Sequence, residues 1–121
     1  MDYEVSIQQD RKYVLVKVNR PMTNELGVEC GRAATTLGKA NDIKRFLFDL
    51  RDAPNIETVL PNYEFAYKGL ESFGFPRDSR SVLLTRPDDR SHDFMETVFV
   101  NAGYYVRIFS DENAAIAWLD K

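Results

Sequence analysis

The sequence predicts an α/β fold: a five-stranded, mostly parallel sheet with an N-terminal antiparallel hairpin, covered by four helices in the order ββαβαβαβα. Three observations predict it. Two alternating apolar runs stand close together at the start, three denser apolar runs recur downstream, and segments with apolar residues at helical spacing lie between those runs. Strands that alternate with helices need crossover connections, and crossovers make parallel neighbours, so only the opening pair is antiparallel.

Tyr3, Val5 and Ile7 alternate with Glu4, Ser6 and Gln8, and after Gln9 to Lys12 a second run, YVLVKV, begins at Tyr13. This is a hairpin pattern. Pro21 and Thr23 then announce a helix with Leu26, Cys30, Ala33, Ala34 and Leu37 on one face, ending around Gly38 to Asn41. Arg45 to Leu50 is a third strand, apolar enough to be buried on both faces. An amphipathic helix follows from near Thr58 to about Ser72, with Val59, Tyr63, Ala66, Leu70 and Phe73 on its inward side. Pro61 fits only in its first turn, where the missing N–H costs nothing, and this puts Thr58 close to the N-cap.

SVLLT, residues 81 to 85, is the fourth strand. Ser91 is expected to cap a third helix whose Phe94, Met95, Val98, Phe99 and Ala102 face inward and which Gly103 closes in a left-handed conformation. YYVRIF is the fifth strand. Ser110 is expected to cap the last helix, with Asp111 and Glu112 at its positive end and Ala115, Trp118 and Leu119 packed down.

The chain is about one domain long, so residues 1–121 are expected to form a single unit. Its 44% hydrophobic and 29% charged residues suit a globular protein rather than a disordered one. The net charge of −3 leaves no basic footprint for nucleic acid. Uncharged apolar stretches fall far short of the roughly 20 residues a membrane span needs. The opening MDYEVSIQQD lacks a basic n-region and an apolar h-region, which predicts a cytoplasmic protein. Cys30 is the single cysteine, which rules out an internal disulfide or a multi-cysteine metal site.

The element order, with the phrases RFLFDLRD, RSVLLTRP and RIFSDENAAIAWL, resembles the bacterial STAS-like (SpoIIAA-like) family, proteins compared with anti-sigma-factor antagonists and with lipid-carrying CRAL-TRIO domains. The similarity spans nearly the whole chain. It implies a non-catalytic regulatory module that binds a protein partner. In the anti-sigma-antagonist branch an Asp-Ser pair follows the third strand, and a partner kinase phosphorylates the serine. Counting on from Asp49, Glu57 and Thr58 fall at that place, Glu for Asp and Thr for Ser, which makes Thr58 the candidate phosphoacceptor. The implied binding surface comprises Asp49, Glu57, Thr58 and Phe65.

The residues themselves carry plainer readings alongside. A phosphate on Thr58 would meet unpaired N–H groups and a positive helix end, yet an N-cap hydroxyl suits the same place. Asp49 closes a strand at the end where open α/β sheets bind ligands, and also where a chain commonly meets water. His92 with Asp88, Asp89 and Asp93 invites a metal reading, but acidic residues are favoured in a first helical turn and no second histidine or cysteine completes a site, so no metal is expected. Cys30 faces inward without a neighbouring histidine, as a structural thiol does. Ser91, His92 and Asp93 are adjacent and point in different directions, so they form no relay. Neither a glycine-rich dinucleotide loop nor a Walker loop is present, and no cofactor is expected. A receiver domain would need an acidic pair after the first strand, which here runs into a hairpin.

The aromatic stretch NYEFAYKGLESFGFP supports a second class of function. Phe65 points away from the inward stripe, on the side of Glu64 and Lys68. The resemblance therefore also admits a carrier of a lipid or small apolar molecule that touches a membrane surface, with Phe65, Lys68 and Phe75 as anchors.

Overall fold

The computed structural model describes residues 2–10, 12–56 and 68–121. They form an α/β sandwich around one five-stranded sheet of β1 (Tyr3–Gln8), β2 (Tyr13–Val18), β3 (Arg45–Asp49), β4 (Arg80–Leu84) and β5 (Tyr105–Phe109). The helices are α1 (Asn24–Asn41), α2 (Leu70–Ser72), α3 (Asp93–Asn101) and α4 (Glu112–Leu119). Only the last turn of the helix expected from Thr58 to Ser72 is α2; residues 57–67 lie outside the described residues.

Spatial strand order equals chain order, β1-β2-β3-β4-β5, with β1 antiparallel to β2 and every later pair parallel. In such a sheet successive crossovers stay on one face. Val14, Val16 and Val18 of β2, each fully buried, meet Leu26, Cys30 and Ala34 of α1 there, and Leu83 and Val106 meet Met95, Val98 and Phe99 of α3. The opposite face belongs to α4: Ala115 and Leu119 pack on Tyr13, Leu47, Val82 and Leu84. Each such side chain contributes about 1.5–3 kcal/mol by leaving water, so period-two alternation in the strands fixes their register.

Local chemistry sets the ends of the elements. Thr23 is extended and its Oγ1 accepts from Leu26 N at 3.1 Å, so α1 begins at Asn24. Gly103 closes α3 at φ 96°, a conformation a side chain would resist. Arg80 Nη1 donates to Trp118 O at 2.9 Å while its guanidinium lies 5.4 Å from the Trp118 ring centroid, which fastens α4 to the sheet.

Three expectations are corrected. Ser91 does not cap α3; His92 stands at that position without a capping side chain, and the Ser91 hydroxyl is used elsewhere. Asp111, not Ser110, caps α4, its Oδ2 accepting from Ala114 N at 3.0 Å. Phe94 is 40% exposed, because a helix that starts at Asp93 turns that position outward and gives the core to Met95, Val98 and Phe99.

Candidate functional site

At the carboxyl ends of the parallel strands, three connecting segments lock onto one another. Met22 N donates to Pro54 O at 2.7 Å and Ile56 N to Met22 O at 3.1 Å, joining the β2–α1 and β3–α2 connections. Asn55 N donates to Ser91 Oγ at 2.9 Å, and His92 Nε2 lies 2.8 Å from Ala53 O, joining the β3–α2 and β4–α3 connections. A carbonyl can only accept, so Nε2 carries the proton and Nδ1 is the lone-pair nitrogen. Ser91 is itself held by Asp89, whose Oδ1 accepts from Ser91 Oγ at 2.6 Å and from Ser91 N at 2.9 Å. Burial would raise the Asp89 pKa, and these two bonds outweigh it, so Asp89 stays ionised.

Below these connections is a partly open cavity of about 80 Å³ between the sheet and helices α1 and α3. Phe48, Ser81, Leu83 and Val106 form its floor, and Cys30 and Gly31 of α1 face Met95 and Phe99 of α3 across it. Leu70 and Phe75 close one side, and Met22, Asn55 and His92 lie toward the strand ends. Among the described residues no Asp, Glu, Lys or Arg lines it. His92 is 3% exposed; burial lowers its pKa against the opposing pull of the Ala53 bond, Asp89 and Asp93, which favours the neutral ring. Burial pushes the Cys30 thiol up to about 12, so it is a protonated apolar lining group and no nucleophile.

Ser81 is the exception in this lining. It is 2% exposed, and its Oγ has no hydrogen-bond partner among the described residues. Leaving a buried hydroxyl unpaired costs about 1–3 kcal/mol.

The residues singled out in the sequence take different places. Asp49 is 5% exposed and already engaged: Arg51 Nε and Nη2 reach its two oxygens at 2.9 and 2.8 Å, and Lys17 Nζ lies 3.4 Å away. Burial acts to raise the Asp49 pKa, but the Arg51 hydrogen bonds and the Lys17 charge overcome it and hold the pKa below the usual carboxylate value. Arg51 also pairs with Glu112 at 3.2 Å, so Asp49 belongs to a charge-balanced seam between β3 and α4 on the face opposite the cavity. Glu57, Thr58 and Phe65 lie outside the described residues. Lys68 is exposed.

Phe75, expected as a membrane anchor, is instead a core residue. It is 7% exposed, with its ring centroid 5.1 Å from that of Phe46 and 5.9 Å from that of Tyr104. The turn at Gly74, φ 72°, directs the chain back under the sheet and carries Phe75 inside. The His92 cluster is likewise dispersed: the ring turns inward to Ala53, Asp89 holds Ser91, and Asp93 pairs with Arg90. Among the described residues no three His, Cys, Asp or Glu side chains converge to hold a metal, and no helix is long and apolar enough to cross a membrane.

The sequence reading did not single out Ser81, Asn55 or Phe48. The available signal was the single polar residue at the start of SVLL, which a fully buried strand does not need.

No protein-family model matches the chain, and no curated protein matches it.

Proposed function

We propose that this protein is a non-catalytic binding module that takes up a small apolar molecule in the cavity between α1, α3 and the sheet. The carrying observation is the lining: mostly apolar side chains, with no charged residue among those described, surround a concave void between α1, α3 and the sheet. A sealed apolar cavity of ~150 Å³ takes up benzene; this one, about 80 Å³ and partly open, encloses a few heavy atoms and takes a single ring only by way of its open side. The neutral Cys30 thiol and the inward-turned His92 offer no activated nucleophile, in keeping with binding rather than catalysis. The reading agrees with the carrier side of the STAS-like resemblance.

Saturation-transfer NMR with toluene tests it on the intact chain. Toluene should bind wild type, and Cys30→Met, which extends a flexible apolar side chain into the void, should abolish the signal. Toluene binding that survives Cys30→Met places the guest elsewhere and refutes the reading.

A second reading rests on Ile56 and Phe94, 62% and 40% exposed. Ile56 follows the cavity-lining Asn55, and Phe94 lies two residues beyond His92. Exposed apolar side chains beside the connecting segments suit a protein partner that docks there, the regulatory class implied by the resemblance. Native mass spectrometry of the protein purified from its own host separates the two: a small co-purifying adduct supports the ligand reading, and a stoichiometric protein supports the docking reading.

A further inference from the structure

We propose that Ser81 is the polar anchor of the cavity, and that the ligand class is a small neutral molecule with one hydrogen-bonding group, a phenol rather than a hydrocarbon or a carboxylate. The inference rests on the cavity being a ligand site and adds what that ligand must carry.

Of the polar residues around the void, Thr23 Oγ1 accepts from Leu26 N, His92 Nε2 donates to Ala53 O, and Asn24 and Asn55 have interactions of their own. Ser81 Oγ is left over. It is enclosed, it has no partner among the described residues, and the residue forms part of the cavity floor. Ser81 stands in the middle of the sheet, opposite Phe46 on β3 and Val106 on β5, so its backbone groups belong to the ladders and do not compete for the hydroxyl. Rotation about the Cα–Cβ bond, between staggered wells, is enough to offer the hydroxyl to a guest.

The packing of β4 points the same way. The rest of the strand is Val82, Leu83 and Leu84, all buried, and an alanine at position 81 would fill the same ladder site without an unsatisfied oxygen. The hydroxyl makes no hydrogen bond among the described residues, and a guest with a donor or acceptor would satisfy it, since a serine hydroxyl does both.

Charge narrows the class further. Among the described lining residues there is no cation to receive an anion, so a carboxylate entering the void would lose its hydration without a counter-charge. A neutral hydroxyl or carbonyl on an apolar frame fits; an ionised head group does not.

The experiment compares phenol, toluene and benzoate as probes on intact wild type and on Ser81→Ala by ligand-observed NMR titration, with amide spectra confirming that both are folded. Wild type should bind phenol about five- to tenfold more tightly than toluene, the ratio expected from one added hydrogen bond, and should not bind benzoate. Ser81→Ala should retain toluene and lose the preference, and Ser81→Cys, which keeps the size with a weaker donor, should fall between. Equal affinity for phenol and toluene in wild type, or a preference that survives Ser81→Ala, overturns the role of Ser81 and leaves the cavity as a plain apolar site. Benzoate binding as tight as phenol overturns the neutral class. If no probe binds wild type, the cavity reading itself fails, and this inference with it.

Discussion

Arg51 and Asp49 form a two-pronged pair, Nε to Oδ1 at 2.9 Å and Nη2 to Oδ2 at 2.8 Å, in which the carboxylate is 7% exposed and the guanidinium 41%. The pair therefore sits between the buried and surface regimes. Asp49→Asn is expected to lower stability by about 2 kcal/mol, less than a fully buried pair loses because water still screens Arg51. The pKa of Asp49 is depressed on folding, so its stabilisation is present above the unfolded value of 3.8 and is lost as pH falls through the folded one. Urea midpoints should thus drop more steeply for wild type than for Asp49→Asn on acidification below about pH 4; parallel curves would show that the pair does not titrate as described.

His92, the single histidine, has its pKa lowered by burial. The unfolded chain then binds more protons, so this group's share of stability is complete above its unfolded value of 6.5 and declines as pH falls toward the folded value. Its ring resonances should titrate below 6.5. His92→Gln, which keeps an N–H toward Ala53 O and cannot titrate in this range, should show a flatter stability profile between about pH 7.5 and 5.5.

Two adjacent residues before α4 give a paired prediction. Asp111→Ala should cost about 1 kcal/mol, the usual loss of a capping side chain, because Ala114 N loses its acceptor. Ser110→Ala should be nearly neutral. Thermal unfolding of the two variants side by side checks both, and the reverse order would reinstate Ser110 as the cap.

Gly38→Ala weighs helix propensity against space. In α1 the exchange would gain about 1 kcal/mol of propensity. A Cβ there, however, would lie 2.8 Å from the backbone oxygen of Ile43 and 3.0 Å from Phe46 Cζ. Backbone oxygen cannot swing aside as a side-chain tip can, so the net effect is expected to be a loss of about 1–3 kcal/mol, read as a lower denaturant midpoint.

The sheet was legible in the sequence because its signals are local. The FLF of β3 and the VLL of β4 are unbroken apolar runs too short for a helix, and they read as strands buried on both faces. The caps at positions 91 and 110 are not legible for a physical reason: several polar residues stand at each helix start, Ser91, His92 and Asp93 at one and Ser110 and Asp111 at the other, and the choice depends on backbone angles that tertiary contacts impose, such as the tie of Ser91 to Asn55. Asp49 reads as a strand end meeting water because Lys17, which reaches it, and Glu112, which holds its partner Arg51, lie far away in sequence. The cavity had no local signature at all. Met22, Cys30, Ser81 and His92 come from four separate segments, and only the folded sheet brings them around one void.

Because the strands lie side by side in chain order, each one hydrogen-bonds only to its predecessor and its successor. Every pairing therefore closes only the connection between consecutive strands, a hairpin turn for β1–β2 and a single crossover for each later pair, and loop-closure entropy, which grows with the logarithm of length, stays small at each step. No strand has to wait for a distant part of the chain before it can dock. Assembly can proceed outward from the β1–β2 hairpin by stepwise addition of a strand to an edge already in place, a topology of short-range contacts that speeds folding relative to sheets whose neighbours are far apart in sequence.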